Sequence, residues 1–300
     1  MPGGSEDQSS EETCNQRDDD CDGETDEDAP LVLEPEDGDK ASDGVDNNCN
    51  GLVDEKGGVM VPAHRSPGVW IDAYEMTVYE NQDCTGTRYG ENSDDYPEGF
   101  APDSTNHTVR LYACSVPGVV PSGNLTYYRA LMACVNQGKR LCSKYEYLLA
   151  CSVDNGFFPY NGQAFQWGYC NDPVLTNPQR TEFSPVPAGS MEGCTARGYT
   201  FDMSGNLAEW ISPTCGFAIS DCPAGHEQYG IVLGWSYSNY FCYDGDEEKC
   251  NFYQFNFESV PNTPSANASR CSVPWYFHYN IYPRDTLRAD FGGRCCMDGP

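Results

Sequence analysis

The sequence predicts an α+β fold that is irregular, loop-rich and stapled by disulfides, with a short acidic segment ahead of it. Three observations carry this. Only two stretches, 125–140 and 143–153, space their apolar residues as helices do. Elsewhere from residue 69 onward, short apolar runs are broken by Gly, Pro, Asn and Asp, the texture of strands and turns. Seventeen cysteines stand among 300 residues, the usage of an oxidised, exported chain rather than a cytosolic one.

Charge narrows the partners. Forty-six acids against 17 bases give a net charge of −29, and residues 1–56 hold 20 acids and three bases, so −17 of it lies there. Such a surface repels phosphate backbones and anionic lipid, which excludes nucleic acid and favours divalent cations. No apolar run reaches the roughly 18–20 residues of a membrane span. The opening MPGGSEDQSSEE is no signal peptide. A secreted or surface location is therefore expected, with the signal or anchor outside the given chain.

In chain order, residues 1–13 are polar and read as a disordered leader. Residues 14–57 hold two acidic repeats, DDDCDGETDE and DNNCNGLVDE, offset by 28 positions. KGGVMVPAHRSPG has the Gly, Pro and charge shift of a linker, placed at 58–68, and the main domain runs over 69–300. VWIDAYEMTVYE alternates like a strand and then turns towards a helix. LTYYRALMACVNQGKR reads as a helix closed by Gly138. SKYEYLLACSV reads as a second helix, opened by Ser143 with Glu146 three residues on.

The repeats carry oxygen ligands at alternate positions. Asp18, Asp20 and Asp22 precede Gly23, with Asp26 and Glu27 beyond; the second copy offers Asp46, Asn48, Asn50, Gly51, Asp54 and Glu55. Calcium needs six to eight oxygens, and a glycine permits the sharp turn that folds them inward. A solvated acidic linker is the alternative, against which the repeated offsets argue. The loops are similar to the acidic metal-binding repeats of bacterial surface proteins, including a surface copper-binding protein of methanotrophs. Hard oxygens, with no His or Met nearby, suit calcium better than copper. Cys14 and Cys21 are placed to close the first repeat. Ser42 replaces the counterpart of Cys14 in the second, which leaves Cys49 as the odd cysteine or as a tie to the main domain.

Five blocks follow in order: WIDAYEMTVYE, GKRLCSKYEYLLAC, FDMSGNLAEW, GWSYS and FGGRCC. Together they resemble the signature of the formylglycine-generating enzyme, or sulfatase-modifying-factor, family, over residues 69–300. The resemblance implies a variant C-type-lectin-like fold. It also implies a structural calcium at the DMSGNLAEW turn, held by Asp202 and Glu209 with main-chain oxygens of Gly205 and Leu207. A turn packed under Trp210 with no metal is the plainer reading of that block.

The family's oxidases bind copper(I) through two cysteines separated by four residues, just after the fourth block. In this chain Asn239 stands where the first would be, and Cys242 and Cys250 follow with YDGDEEK between them. In a cysteine-rich chain such a pair is more readily structural than catalytic. The four histidines form no metal-binding spacing, which argues against the family's iron enzymes. Residues 235–281 are dense in Tyr, Asn, Phe and Trp, good contact residues on a rigid frame; Tyr237, Asn239, Tyr240, Trp275 and Tyr276 are the expected ligand-contacting positions, unless they fill the core. The expectation is a secreted or surface-anchored, bacterial-type calcium-binding protein that recognises a protein or glycan through a non-catalytic domain. The alternatives are a copper-dependent formylglycine-generating oxidase using Cys242 and Cys250, and a structural envelope or appendage component self-assembled through calcium. The adjacent Cys295 and Cys296 cannot readily pair with each other, so two long-range crosslinks are expected to end there.

Overall fold

The two ends of the main domain meet in one sheet. The computed structural model describes residues 11–19, 24–26, 29–34, 45–53, 56–103, 105–151, 169–171, 184–197, 199–212, 229–234, 236–237 and 281–299. Strands β1 (Met60–Pro62), β2 (Val69–Asp72), β13 (Cys295–Asp298) and β6 (Arg140–Leu141) lie side by side in that order, all antiparallel. A second sheet has the order β11 (Ile281–Pro283), β10 (Tyr229–Leu233), β9 (Ala208–Ile211), β12 (Phe291–Gly293), in which only β9 and β12 run parallel. β3 (Met76–Tyr79) lies between β4 (Arg88–Tyr89) and β5 (Tyr112–Ser115), and β7 (Thr195–Ala196) pairs with β8 (Thr200–Phe201).

Both expected helices form, as α1 (Tyr127–Gln137) and α2 (Lys144–Cys151). Thr126 caps α1 by accepting from the Arg129 amide, and Gly138 ends it at φ 88°, a left-handed conformation that suits a residue without Cβ. At α2 the Ser143 amide donates to Glu146 Oε2 at 2.7 Å while the Glu146 amide reaches back to Ser143 Oγ at 3.3 Å, a reciprocal capping box.

Trp210 on β9 is fully buried. Its ring meets Phe291 edge-on at 5.2 Å and Tyr127 at 6.0 Å, and its Nε1 donates to the Leu125 carbonyl at 2.7 Å. The indole thereby joins α1 to the second sheet. Consecutive residues of a strand face opposite sides, and this decides where the cysteine pair goes. Cys295 enters the core cluster around Trp210 and bonds Cys134 of α1; Cys296 enters the other cluster, around Ile71 and Tyr147, and bonds Cys142. The two expected long-range crosslinks are present. Cys84–Cys114 and Cys170–Cys194 add local staples.

Three expectations change. Residues 58–68 are not a free linker: β1 is hydrogen-bonded to β2, and Val59, Met60 and Val61 are buried. Their apolar side chains outweigh the flanking Gly and Pro. The 69–80 stretch makes two strands, β2 and β3, broken at 73–75, rather than a strand and a helix. Cys14 bonds Cys49, not Cys21, so the disulfide joins the two acidic repeats instead of closing the first. The second repeat is also seated on the domain: Asn50 Nδ2 donates to the Met60 carbonyl at 2.8 Å, Trp70 Nε1 donates to the Asn50 carbonyl at 2.9 Å, and Leu31 and Leu33 pack on the core.

A crosslink spanning 161 residues strongly restricts the unfolded chain. The Cys134→Ala/Cys295→Ala variant is expected to lose about 3–5 kcal/mol, read as a lowered urea midpoint.

Candidate functional site

All five sequence blocks contribute to one buried polar core. At its centre is Arg294, fully buried between β12 and β13. Its Nε donates to Glu209 Oε1 at 2.8 Å, its Nη1 to the carbonyls of Asp72 and Ala73 at 2.8 and 3.0 Å, and its Nη2 to the Phe201 carbonyl at 2.7 Å. The planar guanidinium thus bridges β2, β8 and β9 at once. Glu209 Oε2 accepts from the Tyr147 hydroxyl of α2. Gly234, from the fourth block, leaves room for this contact: a Cβ there would stand 2.4 Å from the Tyr147 oxygen and 2.6 Å from Glu209 Oε2.

Glu75, in the break between β2 and β3, is the third corner. Its Oε1 accepts from the Leu207 amide at 2.8 Å and its Oε2 from the Asn206 side-chain amide. Asn206 is itself fully used: Oδ1 accepts from Asn171 Nδ2 and from the Val186 amide, both at 2.9 Å, and its carbonyl accepts from the Tyr237 amide at 2.8 Å. Asp202 has a left-handed backbone (φ 55°), and its Oδ2 accepts from the Gly189 amide at 2.7 Å. Its Oδ1 is buried with no hydrogen-bond partner. Nearby, Lys139 Nζ meets Asp72 Oδ1 at 2.6 Å, a buried pair whose charges cancel.

The charges left over are the notable feature. Glu75, Asp202 and Glu209 are all buried and face a single guanidinium, a formal surplus of −2 when all are ionised. Burial pushes the Asp202 carboxyl up to about 7, opposed by the Gly189 amide. Burial, then the charges of Asp202 and Glu209, raises Glu75 well above the carboxylate range. Burial also raises Glu209, although Arg294 pulls the other way. For Arg294 burial favours the neutral form, but Glu209, Tyr147 and Glu75 outweigh it and hold the guanidinium charged.

Hard carboxylate oxygens, a charge surplus and an orphaned buried Asp202 oxygen suit calcium. Asp202 and Glu209 would hold it together with main-chain oxygens of Gly205 and Leu207. Among the described residues, no three His, Cys, Asp or Glu side chains stand together as a metal cluster.

Several oxygens of the acidic repeats accept from main-chain amides. Asp26 accepts from the Asn15 and Gln16 amides, and Glu12, which sequence reading passed over, accepts from the Asp19 and Asp26 amides. Asp46 accepts from the Asn50 and Gly51 amides at 3.2 and 2.7 Å, Asn48 Oδ1 from the Asn50 amide, and Asn50 Oδ1 from the Leu52 amide. Asp18 is half-buried. Asp20, Asp22, Glu27, Asp54 and Glu55 lie outside the described residues, as do Asn239, Tyr240, Trp275, Tyr276, Cys242 and Cys250. Tyr237, expected as a ligand contact, is buried, and its amide donates to the Asn206 carbonyl. Asn206 and Glu75 were legible only as the fixed letters of two blocks, with no signal that they would bond to each other.

No protein-family model matches the chain, and no curated protein does. Among solved structures it is similar to CarF, with 13% identity and a TM-score of 0.44 over 90% of this chain and 99% of that one. It is similar to PvdO from Pseudomonas aeruginosa, with 15% identity and a TM-score of 0.42 over 90% and 92% of the two chains. It is also similar to the Major Tropism Determinant P3c variant, with 15% identity and a TM-score of 0.39 over 80% of this chain and 52% of that one. These likenesses are too distant to assign an activity. The class defined so far is a sheet-rich, loop-rich, disulfide-stapled protein with few helices. Among the described residues no helix is long and apolar enough to cross a membrane.

Removing one partner of a buried ion pair costs more than the pair contributes. Arg294→Met is expected to destabilise the domain by about 3–5 kcal/mol in urea unfolding, with part recovered by adding Glu209→Gln. A second expectation concerns pH. Asp202 titrates higher in the folded chain than in the unfolded one, so its stabilising contribution is complete below the unfolded value, near 3.9, and is lost as pH rises through about 7. In metal-free buffer the urea midpoint of Asp202→Asn should depend less steeply on pH between about 4 and 7 than that of the parent.

Proposed function

We propose that the chain is an exported calcium-binding recognition protein, built on a formylglycine-generating-enzyme-like, C-type-lectin-like domain that is not catalytic. Its expected place is secreted or at the cell surface, and its partner a protein or glycan. The observation that carries the non-catalytic reading is Asn239, at the position where the family's oxidases hold the first metal-gripping thiol. A soft copper(I) site needs both sulfurs, and an amide cannot replace one. Every cysteine among the described residues is already disulfide-bonded, which agrees with an oxidising compartment.

The convergence of five blocks on Arg294 supports the family reading, because each block supplies a different part of one buried core. The frame is crosslinked by disulfides and by the buried Arg294 network, which suits a scaffold that presents a binding surface. The aromatic-rich stretch at 235–281 is the natural place for that surface, since Tyr and Asn give contact area and hydrogen bonds at low entropic cost. Calcium would be held by the acidic repeats, through Asp18, Asp20, Asp22, Asp26 and Glu27 and through Asp46, Asn48, Asn50, Asp54 and Glu55. A further ion would sit at Asp202, Gly205, Leu207 and Glu209. In the repeats the amides of residues 50 and 51 close on Asp46, which pulls the loop tight around its carboxylate.

The test is a thiol count on unfolded, unreduced protein, with the modified positions mapped by mass spectrometry. Cys242 and Cys250 should both be unreactive. Two reactive thiols there that become protected on adding copper(I) would replace this reading with the copper oxidase. Retention of a glycan or protein on immobilised full chain, lost on chelation, would support recognition; calcium-driven oligomers with no retained partner would favour the structural role.

A further inference from the structure

We propose that Glu75 is the positioning residue of a divalent-cation site at the 202–209 turn, holding the turn's main chain in place while it completes a buried charge set that a divalent ion neutralises. The inference rests on the calcium reading of this turn given above and adds to it a residue that lies 127 positions earlier than Asp202 and is not itself a ligand.

Three observations carry it. First, Glu75 spends both oxygens on the turn: one on the Leu207 amide and one on the Asn206 side chain. The next amide, Ala208, donates to the Asp290 carbonyl at 2.9 Å, and the Gly205 amide to the Gly234 carbonyl at 2.6 Å. Leu207 is therefore clamped on both sides, which sets the direction of its carbonyl. Second, the Asp202 carboxylate keeps one fully buried oxygen without a partner. A buried acceptor of this kind asks for a proton, a water or a cation. Third, the charges suit a divalent ion. Arg294 is matched by Glu209, and when Glu75 and Asp202 are both ionised a charge of +2 cancels the remainder where a monovalent ion leaves half uncompensated.

Residues that orient a metal's ligands without touching the metal typically change affinity by 10–100-fold when altered. Glu75→Gln keeps an oxygen for the Leu207 amide but gives up the charge and one of two acceptors. The experiment is hydrogen exchange on the full chain, read by mass spectrometry at the peptide covering residues 201–210, as free calcium is raised from chelated buffer. In the parent, calcium should slow exchange there. Asp202→Asn should abolish the response, and Glu75→Gln should shift its midpoint to roughly tenfold or more higher calcium. A residue that merely supports the fold would speed exchange equally with and without calcium and leave the midpoint in place.

The failures are distinct. If the parent peptide ignores calcium, or Asp202→Asn responds like the parent, the calcium reading of the turn is wrong. If Asp202→Asn loses the response but Glu75→Gln titrates within twofold of the parent, the calcium reading stands and the role of Glu75 is overturned. Should Glu75→Gln not fold, the parent decides the matter: calcium must protect the Leu207 amide itself at single-residue resolution, and an unchanged Leu207 amide overturns the proposal.

Discussion

The buried guanidinium of Arg294 is the constraint on which the rest depends. A charge out of water is costly unless it is paired and its hydrogen bonds are met, and meeting those of Arg294 requires carbonyls from two strands and a carboxylate from a third. β2 lies in the first block, whereas β8 and β9 lie at the two ends of the third, far along the chain. Once Arg294 is placed, β2, β8 and β9 cannot shift independently, and the break at 73–75 that delivers Glu75 is held in register with the Asn206 turn. The flanking cysteines act in the same direction, because Cys295 and Cys296 anchor the following strand to both core clusters.

The same arrangement leaves the interior more acidic than a closed core needs to be. One arginine answers one carboxylate, and two more remain. Protons on Glu75 and Asp202, whose carboxyls burial pushes up, relieve this, and the divalent ion proposed above would relieve it in their place. The N-terminal segment belongs to this picture too. It is seated on the first sheet through Asn50, Met60 and Trp70, so an ion bound near Asp46 would act on the domain's edge rather than on a detached tail.

Much of this was legible in the sequence. The two helices, the Ser143–Glu146 box and the Gly138 stop follow from side-chain chemistry within a few residues, which local rules capture. Cys295 and Cys296 were legible because geometry forbids neighbours from pairing readily. What escaped depends on distant partners. Val59 and Val61 looked like linker because Gly57, Gly58 and Pro62 surround them, and only the partner strand β2 makes them core. The closeness of Cys14 and Cys21 in sequence was misleading, since Cys14 bonds Cys49, 35 positions on. Tyr237 looked like a contact residue by composition, but its amide answers Asn206, whose role as a crossroads no local pattern announces.

An anomalous-difference map from crystals grown in calcium tests the central claim most directly, because it locates the ion without relying on a change in stability or exchange. The account predicts a peak between the Asp202 and Glu209 carboxylates, with Glu75 beside the turn but outside the coordination sphere. A well-ordered 202–209 turn with no peak, its Asp202 oxygen satisfied by a water or a proton, would contradict it.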